Sequence, residues 1–190
     1  VITGGGSGIG KAIAVTFAAQ GASVHVLELT TEAGADTAAT IKAAGGQVTV
    51  HACNVASKEE VAAVFASIGQ LDILVNNAGF GIKDSFLDSD LNREQELLDV
   101  LVTAPMRLSH AVLPTMVKRN KGVIVNVSSV ASFIAGGTYS AAKSYLTVFT
   151  EYLHTELRDT NIKVSALCPG FTKTEFHARG NMKMGGLPNY

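Results

Sequence analysis

Short apolar segments rich in Val, Ile and Leu recur along the chain, separated by longer amphipathic segments. Six of them predict β-strands, and these cover Val1–Thr3, Ser23–Leu29, Gln47–Ala52, Leu71–Asn76, Gly122–Ser128 and Lys163–Leu167. Their apolar residues run consecutively rather than alternating with polar ones, which is typical of parallel strands buried on both faces. The pattern therefore predicts a parallel sheet in the core of the molecule.

Longer segments between the predicted strands have the periodicity of amphipathic helices, at about 8–20, 31–44, 58–68, 90–118 and 139–159. The third opens with Ser57 and carries Glu60 three residues later, a capping-box pattern. Strands that alternate with helices predict an α/β fold, a doubly wound parallel sheet of the Rossmann type. Since the 190 residues contain no repeat and no long linker, we expect a single domain over residues 1–190.

Composition and charge narrow the classes of partner. The chain is 47% hydrophobic and 16% charged, which is typical of a globular protein rather than a disordered one. The formal net charge is -1 and no run is rich in Lys or Arg, so we expect neither a nucleic-acid partner nor binding to an anionic membrane surface. Because no apolar run reaches about 18 residues, we also expect no transmembrane helix.

Cysteine and histidine usage is unremarkable in the sequence. Cys53 and Cys168 are the only cysteines, and we expect two buried, reduced thiols and a cytoplasmic location. The five histidines lack the spacing of metal ligands, so no metal site is expected.

A glycine-rich segment joins the first predicted strand to the first predicted helix. Glycines allow a tight turn and a close approach of the backbone to a pyrophosphate, and the N-terminus of the helix offers unpaired N–H groups to the anion. The alternative is an ordinary glycine-rich turn, although the strand–turn–helix context favours a dinucleotide site. The candidate contacts are Thr3, Gly4, Gly6, Ser7, Gly8, Ile9 and Gly10.

Glu28 ends the second predicted strand, 18 residues after Gly10. A carboxylate at this position accepts hydrogen bonds from the adenosine ribose hydroxyls and repels a 2′-phosphate. Because no Lys or Arg lies in the glycine-rich segment or in Leu29–Thr31, we favour NAD over NADP as the cofactor. The alternative is a solvated glutamate at the end of a strand.

The glycine-rich segment and three further motifs resemble those of the short-chain dehydrogenase/reductase family. The resemblance extends from Val1 to about Gly185. Each motif lies at the end of a predicted strand or in the helix that follows, and they occur in the family's order. They are Thr3–Gly10, Asn76–Gly79, Ser128–Ser129 with Tyr139–Lys143, and Pro169–Thr174.

The resemblance implies transfer of a hydride between NAD(P)(H) and an alcohol or carbonyl substrate. It also implies further cofactor contacts. Asn54 and Val55 would lie next to the adenine. Asn54 stands where the family usually has Asp, and its amide can still accept and donate hydrogen bonds. The alternative is that Asn54 only forms a turn. The remaining implied contacts are Asn77, Ala78 and Gly79 beside the adenosine ribose, and Pro169, Gly170, Thr172 and Thr174 near the nicotinamide.

Tyr139 and Lys143 are four residues apart, so on a helix both side chains face the same side. A phenol titrates near pH 10 on its own, and a nearby ammonium lowers that pKa, which suits a general acid and base. The resemblance implies that Lys143 also binds the nicotinamide ribose. The alternative is a Tyr/Lys pair packed on a surface helix.

Two serines compete for the position that hydrogen-bonds the substrate oxygen. The resemblance favours Ser129, the second of the pair, with Ser128 as the alternative. The interval from Ser129 to Tyr139 is shorter than is usual in the family, and Gly136 and Gly137 are expected to let the shortened loop fold back.

Leu101 departs from the family, which usually has Asn there for a proton relay. Because Pro105 has no N–H, the carbonyl of Leu101 loses its helical partner and is free to hold a water. Our hypothesis is that the relay operates through this backbone oxygen.

The resemblance implies substrate-covering helices and a final strand beyond Tyr190, so we expect a domain truncated at both ends. A partly apolar alcohol or ketone is the expected substrate, with Phe133, Phe171, Phe176 and Met182–Met184 as candidate lining residues. A homodimer or homotetramer is expected, built on the fourth and fifth helices. Two alternatives remain: a non-catalytic nucleotide-sensing or scaffold protein, and an epimerase or dehydratase that uses the same Tyr/Lys pair.

Overall fold

The structure, a computed structural model, describes residues 1–170 and residue 172. Six parallel strands form one sheet in the order β3-β2-β1-β4-β5-β6, which is the order of a doubly wound dinucleotide-binding fold. The predicted fold class is therefore confirmed. The strands are β1 Ile2–Thr3, β2 Ser23–Glu28, β3 Gln47–Ala52, β4 Ile73–Asn76, β5 Gly122–Val127 and β6 Ile162–Leu167.

Helices connect the strands at the predicted places. The α-helices are α1 Gly8–Ala19, α2 Ala35–Ala43, α3 Lys58–Ile68, α4 Leu91–Leu98, α5 Ala104–Arg119 and α6 Gly137–Glu156. Short 3₁₀ turns occupy Glu32–Gly34 and Val130–Phe133, and a π-helical turn occupies Asp99–Thr103.

The predicted helical segment at about 90–118 is confirmed, since the chain is helical from Leu91 to Arg119, but the helix is not regular throughout. The segment consists of α4, the π-helical turn and α5, with Pro105 in the first turn of α5. Proline cannot donate to a carbonyl one turn earlier, and a π-turn is one way for a helix to absorb the missing bond. The predicted helix over 31–44 likewise begins as a 3₁₀ turn before α2, and the last helix spans Gly137–Glu156 rather than 139–159.

The central strands β1, β4 and β5 are buried on both faces, as predicted, whereas the edge strands β3 and β6 alternate exposed and more buried positions. One face packs Leu27, Leu74 and Ile124 against Leu108 and Met116 of α5, all at most 1% exposed. The opposite face packs its own set of strand residues against α1 and α2, namely Ile2, Val26 and Val75 with Ala14, Ala18 and Ile41.

Leu91–Arg119 as a whole is long and apolar enough to cross a membrane by length and composition, with a mean hydropathy of 1.2 in its most apolar window. Core helices of globular domains meet the same criterion. Here Leu97, Leu101 and Leu108 are at most 1% exposed, so the apolar side of this segment is used in packing within the domain.

Candidate active site

The glycine-rich segment follows β1 and turns sharply into α1. Gly4 and Gly8 have φ of +64° and +53°, values that favour glycine. A Cβ on Gly10 would lie 2.1 Å from the carbonyl oxygen of Gly4, so the start of α1 packs directly on the turn. The backbone itself, without side chains in between, therefore forms this part of the site.

The N-terminus of α1 is left without a cap from its own side chains. Ser7 occupies the N-cap position in an extended conformation but makes no capping hydrogen bond, and the first turn has no acidic residue. By contrast, Ser57 caps α3 and Asp90 caps α4. Helix α1 thus presents free N–H groups and the positive end of its dipole, a suitable place for a phosphate group.

Glu28 lies against the glycine-rich turn. Its Oε1 accepts a hydrogen bond from the backbone N–H of Gly6 at 2.7 Å, which fixes the carboxylate at the end of β2. A Cβ on Gly6 would lie 2.1 Å from the carbonyl oxygen of Ala33, so the connection after β2 closes over the turn as well. The acidic group and the turn are therefore one structural unit.

Asn77 and Thr3 join the ends of β1 and β4. Asn77 Nδ2 donates to the carbonyl oxygens of Thr3 and Gly4, at 3.0 and 2.9 Å. Thr3 Oγ1 in turn accepts from the backbone N–H groups of Asn77 and Ala78, both at 2.9 Å. The side chains of this motif thus hold the glycine-rich turn in place.

Leu101 packs against Gly79 at the end of the same motif. A Cβ on Gly79 would lie 2.6 Å from Leu101 Cδ2, and Leu101 is 1% exposed. Leu101 forms an apolar cluster with Leu97 and Ala142, and the ring of Tyr139 packs on that cluster. Leu101 therefore has a packing role that its lack of side-chain hydrogen-bonding groups did not indicate.

Tyr139 and Lys143 lie one turn apart on α6 and face the same side, as their spacing predicts. Lys143 Nζ is 5.7 Å from the centre of the Tyr139 ring and donates to the carbonyl oxygen of Val127 at 2.7 Å. Lys143 is only 4% exposed, whereas most lysine side chains are exposed to solvent. Lys143 is therefore buried at the end of β5 and Tyr139 is partly buried beside it, so the two do not form a solvated surface pair.

Burial shifts the pKa of both groups. Desolvation lowers the pKa of Lys143 to about 8, partly offset by the nearby Cys168 thiol group. Desolvation also raises the pKa of Tyr139, while a hydrogen bond with the Ser129 side chain acts in the opposite direction. The electrostatics of the pair are thus dominated by their exclusion from water.

The two serines after β5 have different surroundings. Ser128 is 3% exposed, its Oγ donates to the carbonyl oxygen of Lys143 at 2.9 Å, and it is hydrogen-bonded with Thr147 Oγ1 at 2.7 Å. The side chain of Ser129 instead hydrogen-bonds Tyr139 and accepts from Ala131 N at 3.1 Å. Ser128 therefore joins β5 to α6, whereas Ser129 lies beside the phenol.

The short interval between Ser129 and Tyr139 is closed by the 3₁₀ turn Val130–Phe133. Ser144 Oγ on α6 donates to the carbonyl oxygen of Ser132, which ties this turn to the helix. Gly137 then begins α6 with a φ of +74°, in line with the expected use of the glycine pair. The shortened loop is thus compatible with a serine next to the tyrosine.

The segment after β6 runs beside the same serine. Val130 N donates to the carbonyl oxygen of Pro169 at 3.0 Å, and Thr172 Oγ1 donates to the carbonyl oxygen of Gly170 at 3.3 Å. The ends of β5 and β6 thus meet at Ser129. The other candidates of this region, Thr174, Phe171, Phe176 and Met182–Met184, lie outside the described residues.

Asn54 and Val55 follow β3, next to the end of β2. Cys53 N donates to the carbonyl oxygen of Glu28 at 2.7 Å, so the two strand ends are adjacent. Asn54 Oδ1 accepts from Ala56 N at 3.0 Å, which makes Asn54 a turn residue as the alternative interpretation held. Val55 is buried, whereas Asn54 is exposed and available to a ligand.

A histidine pair was not foreseen from the sequence. His25 Nδ1 and His51 Nε2 are 2.9 Å apart on the neighbouring strands β2 and β3, and burial lowers the pKa of both rings. Only the register of the two strands brings these rings together, since they are far apart along the chain. Within residues 1–170 and 172, no group of three or more potential ligands is suited to a metal ion.

The candidate residues therefore form two groups at the carboxyl edge of the sheet. The glycine-rich turn, Glu28 and Asn54 lie at the ends of β1, β2 and β3. The second group lies at the ends of β5 and β6 and contains Ser129, Tyr139, Lys143 and Pro169. Such an edge is where doubly wound sheets bind dinucleotides.

The sequence and the fold both have relatives. The family model described as short chain dehydrogenase matches residues 1–184. An uncharacterized oxidoreductase of Thermotoga maritima is 38% identical over 180 residues, which cover 92% of this chain and 72% of that protein. The 7alpha-hydroxysteroid dehydrogenase of Escherichia coli is 34% identical over 182 residues, which cover 92% of this chain and 71% of that protein.

A solved structure is similar over almost the whole chain. It is a short-chain dehydrogenase from Sphingobium yanoikuyae in complex with NADPH, with a TM-score of 0.92 and 29% identity over 99% of this chain and 76% of that chain. The strand order, the matched residues 1–184 and relatives above 30% identity agree with the sequence motifs. On these grounds the chain belongs to the short-chain dehydrogenase family and is a nicotinamide-dependent oxidoreductase.

Proposed function

We propose that the chain is an active dehydrogenase/reductase that transfers a hydride between NAD(H) and an alcohol or carbonyl substrate, with Tyr139 as general acid and base. The single observation that carries this proposal is the contact of Tyr139 with Ser129 on one side and buried Lys143 on the other. A surface helix with a chance Tyr/Lys spacing would not bury the ammonium or supply the serine.

The residues fit a nicotinamide dinucleotide. The uncapped N-terminus of α1 suits the pyrophosphate, and the Glu28 carboxylate beside Gly6 suits the adenosine ribose. Lys143, Pro169, Gly170 and Thr172 at the other end of the sheet edge would hold the nicotinamide half. When bound, the nicotinamide supplies or accepts the hydride.

Ser129, Tyr139 and Lys143 would each act on the substrate oxygen or its proton. In reduction the Tyr139 hydroxyl gives its proton to the carbonyl oxygen, and in oxidation the phenolate takes the proton of the alcohol. Burial raises the pKa of Tyr139, and its hydrogen bond with Ser129 acts in the opposite direction. In this proposal the Lys143 ammonium, one helical turn away, also favours the phenolate. Ser129 donates a hydrogen bond that orients the substrate oxygen.

Leu101 fits this scheme through its backbone rather than its side chain. The π-helical turn at Asp99–Thr103 lies where the sequence predicts an unpaired carbonyl, and Pro105 supplies no N–H to the oxygen of Leu101. A relay water on that oxygen would connect Lys143 with solvent. This role remains our hypothesis.

NAD is proposed in preference to NADP. Glu28 is held against the glycine-rich turn, where its charge opposes a ribose 2′-phosphate, and no cationic residue occurs in Thr3–Gly10 or Leu29–Thr31. The NADPH in the structure from Sphingobium yanoikuyae belongs to that protein. Titration of NADH and NADPH against the same preparation tests the preference directly.

The substrate is proposed to be a partly apolar alcohol or ketone, and the protein to form homo-oligomers. Phe133 and Ile134 flank the site after Ser129 and are 71% and 65% exposed, which supports an apolar substrate. The exposed apolar residues Val148 and Tyr152 on α6 support self-association. A cytoplasmic location remains a prediction.

Turnover with a panel of alcohols and carbonyls tests the proposed function. Wild type is expected to oxidise or reduce at least one member with NAD(H), and Tyr139→Phe to lose activity by 100-fold or more, on the order of a general acid–base contribution. Tight NADH binding to both proteins without any turnover that depends on Tyr139 would instead support the nucleotide-sensing alternative.

A further inference from the structure

We propose that Asn54 lets the cofactor site accept either adenine or hypoxanthine as the purine base. The protein would then bind the hypoxanthine analogue of NADH about as well as NADH itself. The inference rests on the proposed function as an NAD(H)-dependent enzyme. It concerns the 6-position of the purine, which is an amino group in adenine and an oxo group in hypoxanthine.

The position of Asn54 follows from the strand order and from two anchor points. The uncapped helix α1 after β1 suits the phosphates, and Glu28 at the end of β2 suits the adenosine ribose. The next strand along the edge is β3, whose end is hydrogen-bonded to the end of β2 through Cys53 N and the carbonyl oxygen of Glu28. A base carried by a ribose at Glu28 therefore extends toward Asn54.

Two hydrogen bonds fix the conformation of Asn54. Its backbone N–H donates to Glu60 Oε2 at 2.7 Å, and its side-chain Oδ1 accepts from Ala56 N at 3.0 Å. Since a backbone N–H must meet an acceptor, the oxygen and nitrogen of the amide cannot be exchanged. The Nδ2 group, on the other side of the same planar amide, is turned away from Ala56.

Nothing in the described part of the chain is bonded to Nδ2, and Asn54 is exposed. The group is thus a donor held ready at the edge where the base arrives. The loop around it is fixed further, because Arg107 donates to the carbonyl oxygen of Ala56 at 3.3 Å. Such a donor can bond an acceptor on either purine, which is N7 in adenine and N7 or the 6-oxo group in hypoxanthine.

The chemistry of the two bases decides the expected specificity. A 6-oxo purine presents acceptors at the 6-position and N7, whereas adenine presents a 6-amino donor next to the N7 acceptor. An amide N–H can therefore bond either base, but it faces a like donor at the amino group of adenine. A carboxylate at the same place would accept from the amino group and repel the oxo group.

Asn54→Asp is the variant that separates these cases. The carboxylate can still accept from Ala56 N, so the turn is retained while the free donor becomes an acceptor. Glu60→Gln is the matched control, because it changes a neighbouring charge but keeps an acceptor for Asn54 N. Thermal unfolding of all three proteins verifies that the turn and α3 remain folded.

The experiment measures the dissociation constants of NADH and of reduced nicotinamide hypoxanthine dinucleotide by fluorescence titration, without any substrate. For wild type and Glu60→Gln the two constants are expected to agree within about threefold. For Asn54→Asp the ratio is expected to move about tenfold or more in favour of NADH, the scale of a lost and mismatched hydrogen bond.

Preference of wild type for NADH by more than tenfold, or an unchanged ratio in Asn54→Asp, would overturn this inference while leaving the proposed function intact. If neither dinucleotide binds wild type, both the proposed function and the inference fail.

Discussion

Burial of the Lys143 ammonium beside Tyr139 suits the proposed chemistry but lowers the stability of the fold. The ammonium is 4% exposed, and burial lowers its pKa from 10.5 to about 8. Between these two values the unfolded chain binds more protons at this position than the folded chain does. The contribution of Lys143 to the free energy of unfolding therefore rises with pH across this window.

Lys143→Met is expected to remove this pH dependence. The free energy of unfolding of the variant, relative to wild type, should be largest near pH 7 and should fall by about 3 kcal/mol toward pH 10.5. Urea unfolding at several pH values measures the difference. Because the variant also loses the bond from Nζ to the carbonyl oxygen of Val127 at every pH, the slope rather than the absolute value decides. Parallel curves for the two proteins would contradict the expectation.

Leu101 illustrates what a departure from a family pattern means once the packing is known. An Asn at this position would place an amide in the apolar cluster with Leu97 and Ala142, against Gly79. We expect Leu101→Asn to lower the free energy of unfolding by about 2–4 kcal/mol and to leave the turnover number no higher.

Urea unfolding and steady-state kinetics measure the two effects of Leu101→Asn. Leu101→Met conserves the volume and serves as the control, with an expected loss below about 1.5 kcal/mol. A large gain of activity in Leu101→Asn would show that the side chain, and not the backbone oxygen, limits the proposed relay.

At the residue scale the sequence predicted those features that depend on local geometry alone. Tyr139 and Lys143 share a face because of the helical repeat, and this needed no tertiary information. The different surroundings of Ser128 and Ser129 depend on where α6 packs on β5, which no local pattern contains. The pairing of His25 with His51 depends on strand register for the same reason.

Helix α1 lacks a stabilising cap at the end where we propose that the cofactor phosphates bind. Ser7 has the extended backbone of an N-cap, and yet its side chain makes no capping bond. A better cap at this position would satisfy the N–H groups that the site offers to a phosphate.

Ser7→Asp is accordingly expected to have opposite effects on stability and binding. The unliganded protein should gain about 0.5–1 kcal/mol, because a carboxylate caps the helix and interacts with its dipole. NADH should bind at least tenfold more weakly, since the same carboxylate competes with and repels the pyrophosphate. Thermal unfolding and fluorescence titration provide the two readouts.

The cap of α4 is the control for Ser7→Asp, because α4 contributes no residue to the proposed cofactor site. Asp90→Ala removes the hydrogen bond that Asp90 Oδ1 accepts from Asn92 N and should cost about 1 kcal/mol without weakening NADH binding tenfold. Unchanged NADH affinity in Ser7→Asp would argue against a phosphate at α1.

The elements themselves were largely predictable, and the exceptions have a common cause. Short β-branched and apolar segments predicted all six strands, and helical periodicity predicted the helix positions. The break at Asp99–Thr103 escaped the pattern, because a π-turn hardly changes which residues are apolar. Pro105 was the only local signal, and it indicated a lost hydrogen bond without indicating how the helix would absorb it.

For the whole molecule, the order of strands explains why distant motifs form one site. Placing β1 between β2 and β4 brings the glycine-rich turn next to Glu28 on one side and Asn77 on the other. The motif order along the chain anticipated this arrangement through the family resemblance. The amount of apolar surface left exposed was not predictable from the sequence. It depends on which sides of the helices do not pack against the core.

That outer surface leads to a prediction about assembly. Val148 and Tyr152 lie four residues apart on α6 and are 64% and 58% exposed, so they form one apolar strip away from the core. Contiguous exposed apolar residues of this kind are typical of contacts between proteins, and a second copy of the chain is the partner we propose.

Val148→Asp should convert an oligomer into a smaller species, because a buried, unpaired carboxylate is costly at an interface. Light scattering after size-exclusion chromatography measures the mass, with Ala39→Asp at an exposed position of α2 as the control for one added negative charge. A wild-type monomer at micromolar concentration, or an unchanged mass for Val148→Asp, would contradict the proposed strip.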